Sequence, residues 1–233
     1  SRRQRQMCIR DRSKVLVVAP HPDDETLGCG GTIFRHKVAG DDIYWLIVTG
    51  ISQDDGWEEK VVKKRDNEID AVAEKYGFSD VFNLRLPTTK MDTLPVSDLI
   101  GEISNVYKKV EPDIIYMPFA YDVHTDHQII AKTLQSTLKW FRYPYIKKVY
   151  MYETPSETEF NFVENRVFRP NLFVNISLYI DNKIEVMEIY VNEMGEYPFP
   201  RSEKTLRALA ILRGSQSGFE SAEAFELVYE RKE

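Results

Sequence analysis

One stretch of this chain, residues 15–31, constrains the fold more than any other, and it reads VLVVAPHPDDETLGCGG. Its first five residues are apolar and mostly β-branched, which is typical of a buried parallel strand. The run stops at Pro20 and Pro22, which fix their own φ angles and hold the residues before them extended. A helical pattern containing glycines follows. The stretch therefore predicts a strand, a stiff loop and a helix of an α/β sheet.

The loop of this unit carries one imidazole, His21, and three consecutive carboxylates, Asp23, Asp24 and Glu25. Ligands of open α/β sheets bind just beyond the carboxyl ends of the strands, where this loop would lie. Neutral imidazole and carboxylate oxygen are typical ligands of a divalent metal ion that keeps one coordination position open. The loop predicts half of a hydrolytic metal site. A dinucleotide site is disfavoured, because the glycines follow an acidic loop and lack the G-x-G-x-x-G spacing.

The chain from residue 26 to residue 153 alternates between helix and strand patterns. Strands are predicted over residues 42–49, 81–84, 113–118 and 147–153, and helices over residues 26–39, 58–76, 96–110 and from about residue 126. Thr125 and Gln128 have the spacing of a capping box at the start of that last helix. The alternation implies right-handed crossovers and a mostly parallel, Rossmann-like sheet in a three-layer α/β fold.

The character of the chain changes after Thr154, and a C-terminal α/β extension is predicted there. It comprises a strand over residues 171–176, helices over residues 180–194 and 202–214, and a tail that returns as an edge strand. No linker or internal repeat interrupts the pattern, so residues 14–233 are interpreted as one domain. Residues 1–13 are basic with no apolar segment after them, and they are interpreted as a disordered or artefactual leader.

A second acidic loop follows the predicted strand over residues 113–118 and contains Asp122, His124, Asp126 and His127. Two separate strands thus end in imidazole and carboxylate, so their loops can meet over one pocket. A single Asp-Asp pair would more often be a turn or a helix cap. The pairing of two such clusters favours a metal hydrolase. The fourth histidine, His36, falls in the middle of a helix and is interpreted as a surface or packing residue.

Composition excludes several classes of protein. The formal net charge of −6 argues against a nucleic-acid-binding surface. No apolar run is long enough for a transmembrane segment. The two cysteines do not support a disulfide framework, so a cytoplasmic location is expected.

The two loops carry a resemblance to a known family. Residues 19–25 (APHPDDE) with Gly30 and Gly31, and residues 122–127 (DVHTDH), resemble the two signature motifs of the LmbE-like, or PIG-L, zinc-dependent N-deacetylases. These enzymes remove acetyl groups from N-acetylglucosaminyl conjugates. Arg65 and Glu68 also resemble the family. The segment over residues 213–225 is most similar to members that act on N-acetylglucosaminyl-malate.

The resemblance implies a role for individual residues. His21, Asp24 and His127 are expected to ligate Zn²⁺, with Fe²⁺ or another divalent metal as alternatives. Asp23 is expected to be the general base, and a protonated His124 to stabilise the oxyanion.

Three further residues and the partner follow from the same resemblance. Asp126 and Asp122 are expected to lie behind the ligands, Asp126 orienting His124 or His127. Arg65 is expected to reach the substrate, although its neighbours Lys63 and Lys64 also suit a solvated helix face. The expected partner is a small amino sugar, with no nucleic acid. The resemblance leaves open whether the chain forms a homo-oligomer.

Two other functions fit parts of the pattern. A metal-dependent phosphoesterase would use the same ligands, but it needs a basic cradle or a second metal, and the two loops contain no lysine or arginine. A non-catalytic sugar- or metal-binding relative would keep the ligands and lose turnover. The deacetylase is the preferred hypothesis.

Overall fold

The computed structural model describes residues 12–232, so the predicted leader lies outside the described residues except for its last two. Within this range a seven-stranded sheet is flanked by six α-helices. The strands are β1 (Lys14–Ala19), β2 (Asp42–Gly50), β3 (Asp80–Pro87), β4 (Ile114–Pro118), β5 (Lys148–Tyr152), β6 (Leu172–Asn175) and β7 (Ala222–Glu230). The helices are α1 (Asp24–Ala39), α2 (Glu59–Tyr76), α3 (Val96–Val110), α4 (Thr125–Thr137), α5 (Ile180–Met187) and α6 (Glu203–Ser217).

The sheet has the order β3-β2-β1-β4-β5-β7-β6, and its first five strands run parallel. β7 is antiparallel to both of its neighbours, β5 and β6. The predicted fold class, a mostly parallel α/β sheet with a C-terminal extension, is confirmed.

Helices cover both faces of the sheet and give the molecule three layers. Val15 and Val17 of β1 belong to one core with side chains of α1, α2, α5 and α6. Leu16 and Val18 belong to the opposite core with side chains of α3 and α4. All four side chains are fully buried. Burial on both faces explains why β1 reads as a continuous apolar run without polar alternation.

The prediction that the C-terminal tail forms an edge strand is wrong. β7 lies inside the sheet, where Phe225 pairs with Tyr152 of β5 on one side and with Leu172 of β6 on the other. Ala222 and Ala224 are buried together with Phe225. β6, four residues long, forms the edge instead. Burial of these small and aromatic side chains under α1 and α6 favours the inner position.

Two helix boundaries also differ from the prediction. α5 ends at Met187, not at residue 194, and tight turns continue the chain as Tyr190 N–H donates to the carbonyl of Met187. In these turns the Tyr190 hydroxyl donates to the buried Glu25 at 2.7 Å. α4 begins at Thr125, and its N-cap is the ring of His124 in place of the predicted Thr125 hydroxyl.

The glycines of α1 allow the helix to approach the sheet closely. A Cβ atom on Gly28 would lie 2.2 Å from the ring of Tyr152, and one on Gly31 would lie 2.5 Å from Ile176. Only glycine permits such contact between a helix and its neighbours.

The strand order places the two acidic loops side by side. β1 pairs with β2 on one side and with β4 on the other, so the order in which strands are added to the sheet reverses between β1 and β4. A crevice at the carboxyl ends of the strands forms at such a switch point. The loops after β1 and β4 both open into it. None of the described helices has the length and apolar character needed to cross a bilayer.

Candidate metal centre

Three predicted ligand atoms lie close together in this crevice. His21 Nδ1 is 3.3 Å from Asp24 Oδ2, His127 Nε2 is 3.2 Å from the same oxygen, and the two ring nitrogens are 3.3 Å apart. The edge of a tetrahedron with metal–ligand bonds of 2.0–2.1 Å is about 3.3–3.4 Å. The triangle therefore fits three ligands of a tetrahedral divalent ion.

Each imidazole of this triangle is held from behind by a carboxylate. His127 Nδ1 is 2.9 Å from Asp122 Oδ2, and the Thr158 hydroxyl donates to the other oxygen of Asp122 at 2.6 Å. His21 Nε2 is 3.1 Å from Asp126 Oδ2. Such carboxylates fix the ring tautomer and make the ligand more basic.

The placement of Asp126 differs from the prediction. Its carboxylate contacts His21, not His124 or His127, and also accepts the backbone N–H of Thr89 at 2.7 Å. Only its backbone N–H reaches His124, at Nδ1. His21, His124 and Asp126 could together form a second ligand group. Nδ1 of His21 lies near Asp24 and His127, whereas Nε2 of the same ring contacts Asp126. The structure therefore favours one metal ion at His21, Asp24 and His127, with the Asp126 carboxylate bonded to the other nitrogen of His21.

The cluster stabilises positive charge between the loops. Burial disfavours the cationic form of His21, but the contacts with Asp126 and Asp24 outweigh it and raise its pKa to about 9. Burial likewise opposes charge on His127, and Asp24 and Asp122 outweigh it and raise its pKa to about 10. Burial alone would raise the pKa of Asp24, but the two imidazoles lower it well below its usual value. A divalent ion would supply the positive charge in place of the imidazole protons, and the same carboxylates would stabilise it.

Asp23 occupies the N-cap position of α1 without capping it. Its φ is 135°, a strained value for a residue other than glycine, and its carboxylate makes no bond to the helix N-terminus. Asp23 Oδ2 instead lies 2.7 Å from Arg201 Nη1. Burial and the neighbouring Asp24 raise the pKa of Asp23 well above its usual value, although Arg201 opposes the rise. A carboxylate with a raised pKa suits proton transfer near neutral pH.

Glu25 supports the conformation of this loop from below. It is fully buried, and its carboxylate accepts the Asp23 backbone N–H and the hydroxyls of Thr26 and Tyr190. Burial raises its pKa to about 7. The third carboxylate of the motif is thus a structural partner of the loop and belongs to neither ligand group among the described residues.

His124 lies beside the triangle, with its ring centroid 4.5 Å from that of His21. Burial and the two neighbouring imidazoles lower its pKa to about 4. Its Nδ1 accepts the backbone N–H of Asp126, so the neutral ring carries its proton on Nε2. The predicted protonated form of His124 does not fit this structure. A neutral ring with Nε2–H remains a hydrogen-bond donor.

A cavity of about 290 Å³ opens above the triangle and is lined by His21, Asp23 and His124. Arg65 of α2 also lines this cavity, half-buried and paired with carboxylates, so the predicted solvated helix face does not describe it. Its Nη2 is 2.5 Å from Glu193 Oε1, and its Nε is 3.3 Å from Glu68 Oε2.

Three charged residues of the cavity carry no mark in the sequence. Arg201 contacts Asp23, Glu193 and Glu157, at 2.7, 3.2 and 3.5 Å. Arg201, Glu193 and Glu157 all lie in turns of the C-terminal half, where no periodic pattern marks them. In the sequence, these residues are marked only by the lack of a repeating pattern after β5 and between α5 and α6.

A His-Asp-His triangle at the carboxyl edge of a parallel sheet, with the Asp23 carboxylate beside it, is the type of site that α/β metal hydrolases use. The family model described as PIG-L, GlcNAc-PI de-N-acetylase, matches residues 16–138, more than half of the chain. The chain belongs to the PIG-L family. The family resemblance of the two loop motifs is thereby confirmed.

Individual relatives are similar over most of their length. The chain is 27% identical over 231 residues to the diacetylchitobiose deacetylase of Thermococcus kodakarensis, covering 94% of this chain and 85% of the relative. It is 26% identical over 148 residues to the uncharacterized deacetylase YaiS of Escherichia coli, covering 62% of this chain and 76% of the relative.

Solved structures share the fold. The N,N'-diacetylchitobiose deacetylase of Pyrococcus horikoshii superposes with a TM-score of 0.71 at 21% identity, over 94% of this chain and 85% of its own. GalB, the 4-carboxy-2-hydroxymuconate hydratase of Pseudomonas putida, superposes with a TM-score of 0.72 at 20% identity, over 95% and 98%. The fold by itself therefore does not separate deacetylation from hydration.

Proposed function

We propose that this protein is a zinc-dependent N-deacetylase that hydrolyses the acetamide of an N-acetyl amino sugar or its conjugate. The observation that carries the proposal is the buried Asp23 carboxylate, held by Arg201 beside the His21–Asp24–His127 triangle and facing the cavity. Membership of the PIG-L family and the similarity to a diacetylchitobiose deacetylase support the reaction class.

The donor set fits Zn²⁺, with Fe²⁺ as the alternative. Two imidazole nitrogens and one carboxylate oxygen are the ligands of an open catalytic zinc site. His21, Asp24 and His127 would hold the ion, and Asp126 and Asp122 would orient the two imidazoles. When bound, the ion supplies Lewis acidity to the attacking water and to the amide carbonyl.

The protein groups account for the proton transfers. Asp23 accepts a proton from the attacking water and then delivers it to the departing amine. His124 Nε2–H donates to the carbonyl oxygen as negative charge develops on it, an interaction that is strongest in the transition state. Arg201 holds the Asp23 carboxylate in one orientation and favours its ionised form.

The charges of the cavity argue against the phosphoesterase. Arg65 and Arg201 both line it, but Glu193 bridges them with contacts of 2.5 and 3.2 Å. Glu68 and Glu157 pair with the same two guanidinium groups. A phosphate dianion would have to displace these carboxylates, whereas a neutral amide does not.

Acetate release from N-acetylated sugars, measured for wild type and Asp23→Asn loaded with zinc, tests the proposal. The wild type is expected to release acetate. The asparagine side chain has nearly the same shape as aspartate but cannot accept the proton, so kcat is expected to fall by about 10²- to 10⁴-fold with zinc content unchanged.

Each competing function predicts a different outcome. Phosphate release from phosphoesters without acetate release would support the phosphoesterase. A wild type with no turnover of any N-acetyl sugar, and Asp23→Asn indistinguishable from it, would support the non-catalytic relative.

A further inference from the structure

A second cleft adjoins the cavity above the metal triangle. It has a volume of about 400 Å³ and is lined by residues 55–57 and 88–90. Trp57 and Thr88 line both spaces, so these two side chains form the wall between them. A ligand that extends from the first space to the second would therefore contact Trp57.

Trp57 presents a large apolar surface to both spaces. It lies in the loop between β2 and α2, and 44% of the residue is exposed. Ile51 and Val61 also line the first cavity. An aromatic ring has a negative face that attracts polarised C–H groups, and pyranose rings carry such groups on one face. An exposed indole on the wall of a binding cleft suits stacking with a sugar ring.

The charges along both spaces favour a neutral ligand. Every lysine and arginine among the described residues that line them has a carboxylate neighbour. Lys64 is 3.9 Å from Glu68 and Lys90 is 3.7 Å from Asp55. An anionic aglycone would find no unpaired cation in these walls, while hydroxyl groups could bond to the polar atoms already there.

Building on the proposed deacetylase function, we propose that the second cleft is a subsite for a second, neutral pyranose ring, with Trp57 as its stacking platform. The sugar that loses its acetyl group lies over the metal triangle, and the ring linked to it lies against Trp57. The substrate class is then a neutral N-acetylhexosamine disaccharide or a longer oligosaccharide. Trp57 acts in specificity and takes no part in proton transfer.

Kinetics with one-ring and two-ring substrates test the subsite. Acetate release is measured for N-acetylglucosamine and N,N'-diacetylchitobiose with wild type, Trp57→Ala, Trp57→Phe and Trp140→Ala. The wild type is expected to prefer the disaccharide. Trp57→Ala is expected to lower the ratio of kcat/KM for disaccharide over monosaccharide about fivefold or more, mainly through KM, and Trp57→Phe to lower it less.

Trp140 is the matched control, because its residue is 64% exposed but lines neither space. Trp140→Ala is expected to keep the wild-type ratio. The subsite is refuted if Trp57→Ala leaves the ratio unchanged, if Trp140→Ala lowers it equally, or if the wild type prefers N-acetylglucosaminyl-malate to the disaccharide.

A binding measurement separates failure of the subsite from failure of the deacetylase proposal. Trp140→Phe leaves Trp45, which is fully buried, and Trp57 as the remaining indoles. N,N'-diacetylchitobiose is expected to change the fluorescence of this variant, and the change is expected to vanish when Trp57→Phe is added. Absence of acetate release with this signal intact would overturn only the deacetylase; absence of the signal would overturn the subsite.

Discussion

Asp23 keeps a strained backbone because its neighbours hold it from two sides. A non-glycine residue at a φ of 135° is costly and persists where surrounding contacts determine it. Glu25 accepts its backbone N–H at 3.1 Å, and Arg201 donates to its carboxylate at 2.7 Å. The strain turns the side chain away from the helix N-terminus, where an aspartate would ordinarily cap, and toward the cavity.

Substitution of His127 is expected to lower zinc content, and substitution of His124 is expected to lower kcat. His127→Ala removes one of three ligands, so the zinc content of the purified protein is expected to fall severely. His124→Asn keeps a side chain that can cap α4 but removes Nε2–H from the cavity. It is expected to lower kcat about 10²- to 10³-fold with near-normal zinc content. Metal analysis and acetate release on the same samples check both; zinc loss as severe in His124→Asn as in His127→Ala would contradict the assignment.

Arg201 is expected to control the pH range in which Asp23 works. The guanidinium opposes the rise in the pKa of Asp23 caused by burial and by Asp24. Without it the carboxylate stays protonated to higher pH, and the base form is lost there. For Arg201→Ala the acid limb of the kcat–pH profile is therefore expected to move upward, with kcat at pH 7 reduced about tenfold to a hundredfold.

Arg201→Lys is the control for this prediction. Lysine keeps the positive charge near Asp23, Glu193 and Glu157, so it is expected to move the acid limb of the kcat–pH profile back toward its wild-type position. A profile of unchanged shape in Arg201→Ala, with only its height reduced, would assign the residue a purely structural role.

At the level of elements, the sequence predicted the segments that carry a periodic apolar pattern or a cluster of acidic residues and histidines. The apolar run of β1 and the two acidic loops indicated the sheet and the candidate ligands, because strands one and four lie side by side at the switch point. It did not predict Arg201 or Glu193, which lie in turns after α5 with no repeating pattern. Their proximity to Asp23 depends on where α5 stops, a boundary set by tertiary contacts such as that of Tyr190 with Glu25.

The C-terminal motif has a structural explanation that similarity alone did not provide. Glu223 of β7 accepts the backbone N–H groups of Gly31 and Thr32 at 2.9 and 2.8 Å. Lys183 of α5 donates to Glu223 at 2.7 Å and to the carbonyl of Leu27 at 2.8 Å. The motif thus ties α1 to the C-terminal extension from inside and fixes the helix that carries Asp24.

The close approach of α1 to β5 leads to a stability prediction. Gly28→Ala would place a Cβ atom 2.2 Å from the Tyr152 ring, whose hydroxyl bonds to the Val18 carbonyl. Either the ring or the helix must move, so the free energy of unfolding is expected to fall by about 1–3 kcal/mol. Gly101→Ala in α3 is the matched control. No atom lies within 4 Å of its added Cβ, and it is expected to stabilise the protein by up to about 1 kcal/mol. Chemical denaturation of both variants measures the difference.

On the scale of the whole molecule, the candidate site joins segments that are far apart in the chain. Residues 21–25 follow β1, residues 122–127 follow β4, and Tyr190, Glu193 and Arg201 come from the extension. A ligand set of this kind exists only in the folded chain. Metal binding is therefore expected to stabilise the global fold as well as the loops.

That coupling is expected to depend on pH with a definite sign. In the metal-free protein the pKa values of His21 and His127 are raised to about 9 and about 10, from 6.5. Their protonation stabilises the metal-free fold fully below pH 6.5, and the contribution is lost as pH rises through 9 to 10. Zinc must displace these protons, so its apparent Kd is expected to fall about tenfold to a hundredfold per pH unit between pH 7 and 9.

Thermal unfolding with fixed free zinc or with a chelator, at pH 6.5, 7.5 and 8.5, measures this dependence. The gain in Tm from zinc is expected to grow with each step in pH. The free energy of stabilisation by zinc is expected to grow by about 1.4 kcal/mol for each displaced proton and each pH unit. Asp122→Asn is the control, because it removes a carboxylate that raises the pKa of His127 while keeping all three ligands, so its slope is expected to be smaller. A zinc-induced gain that is equal at all three pH values would mean that the ion does not bind at these two imidazoles, since any ion that does must compete with their protons.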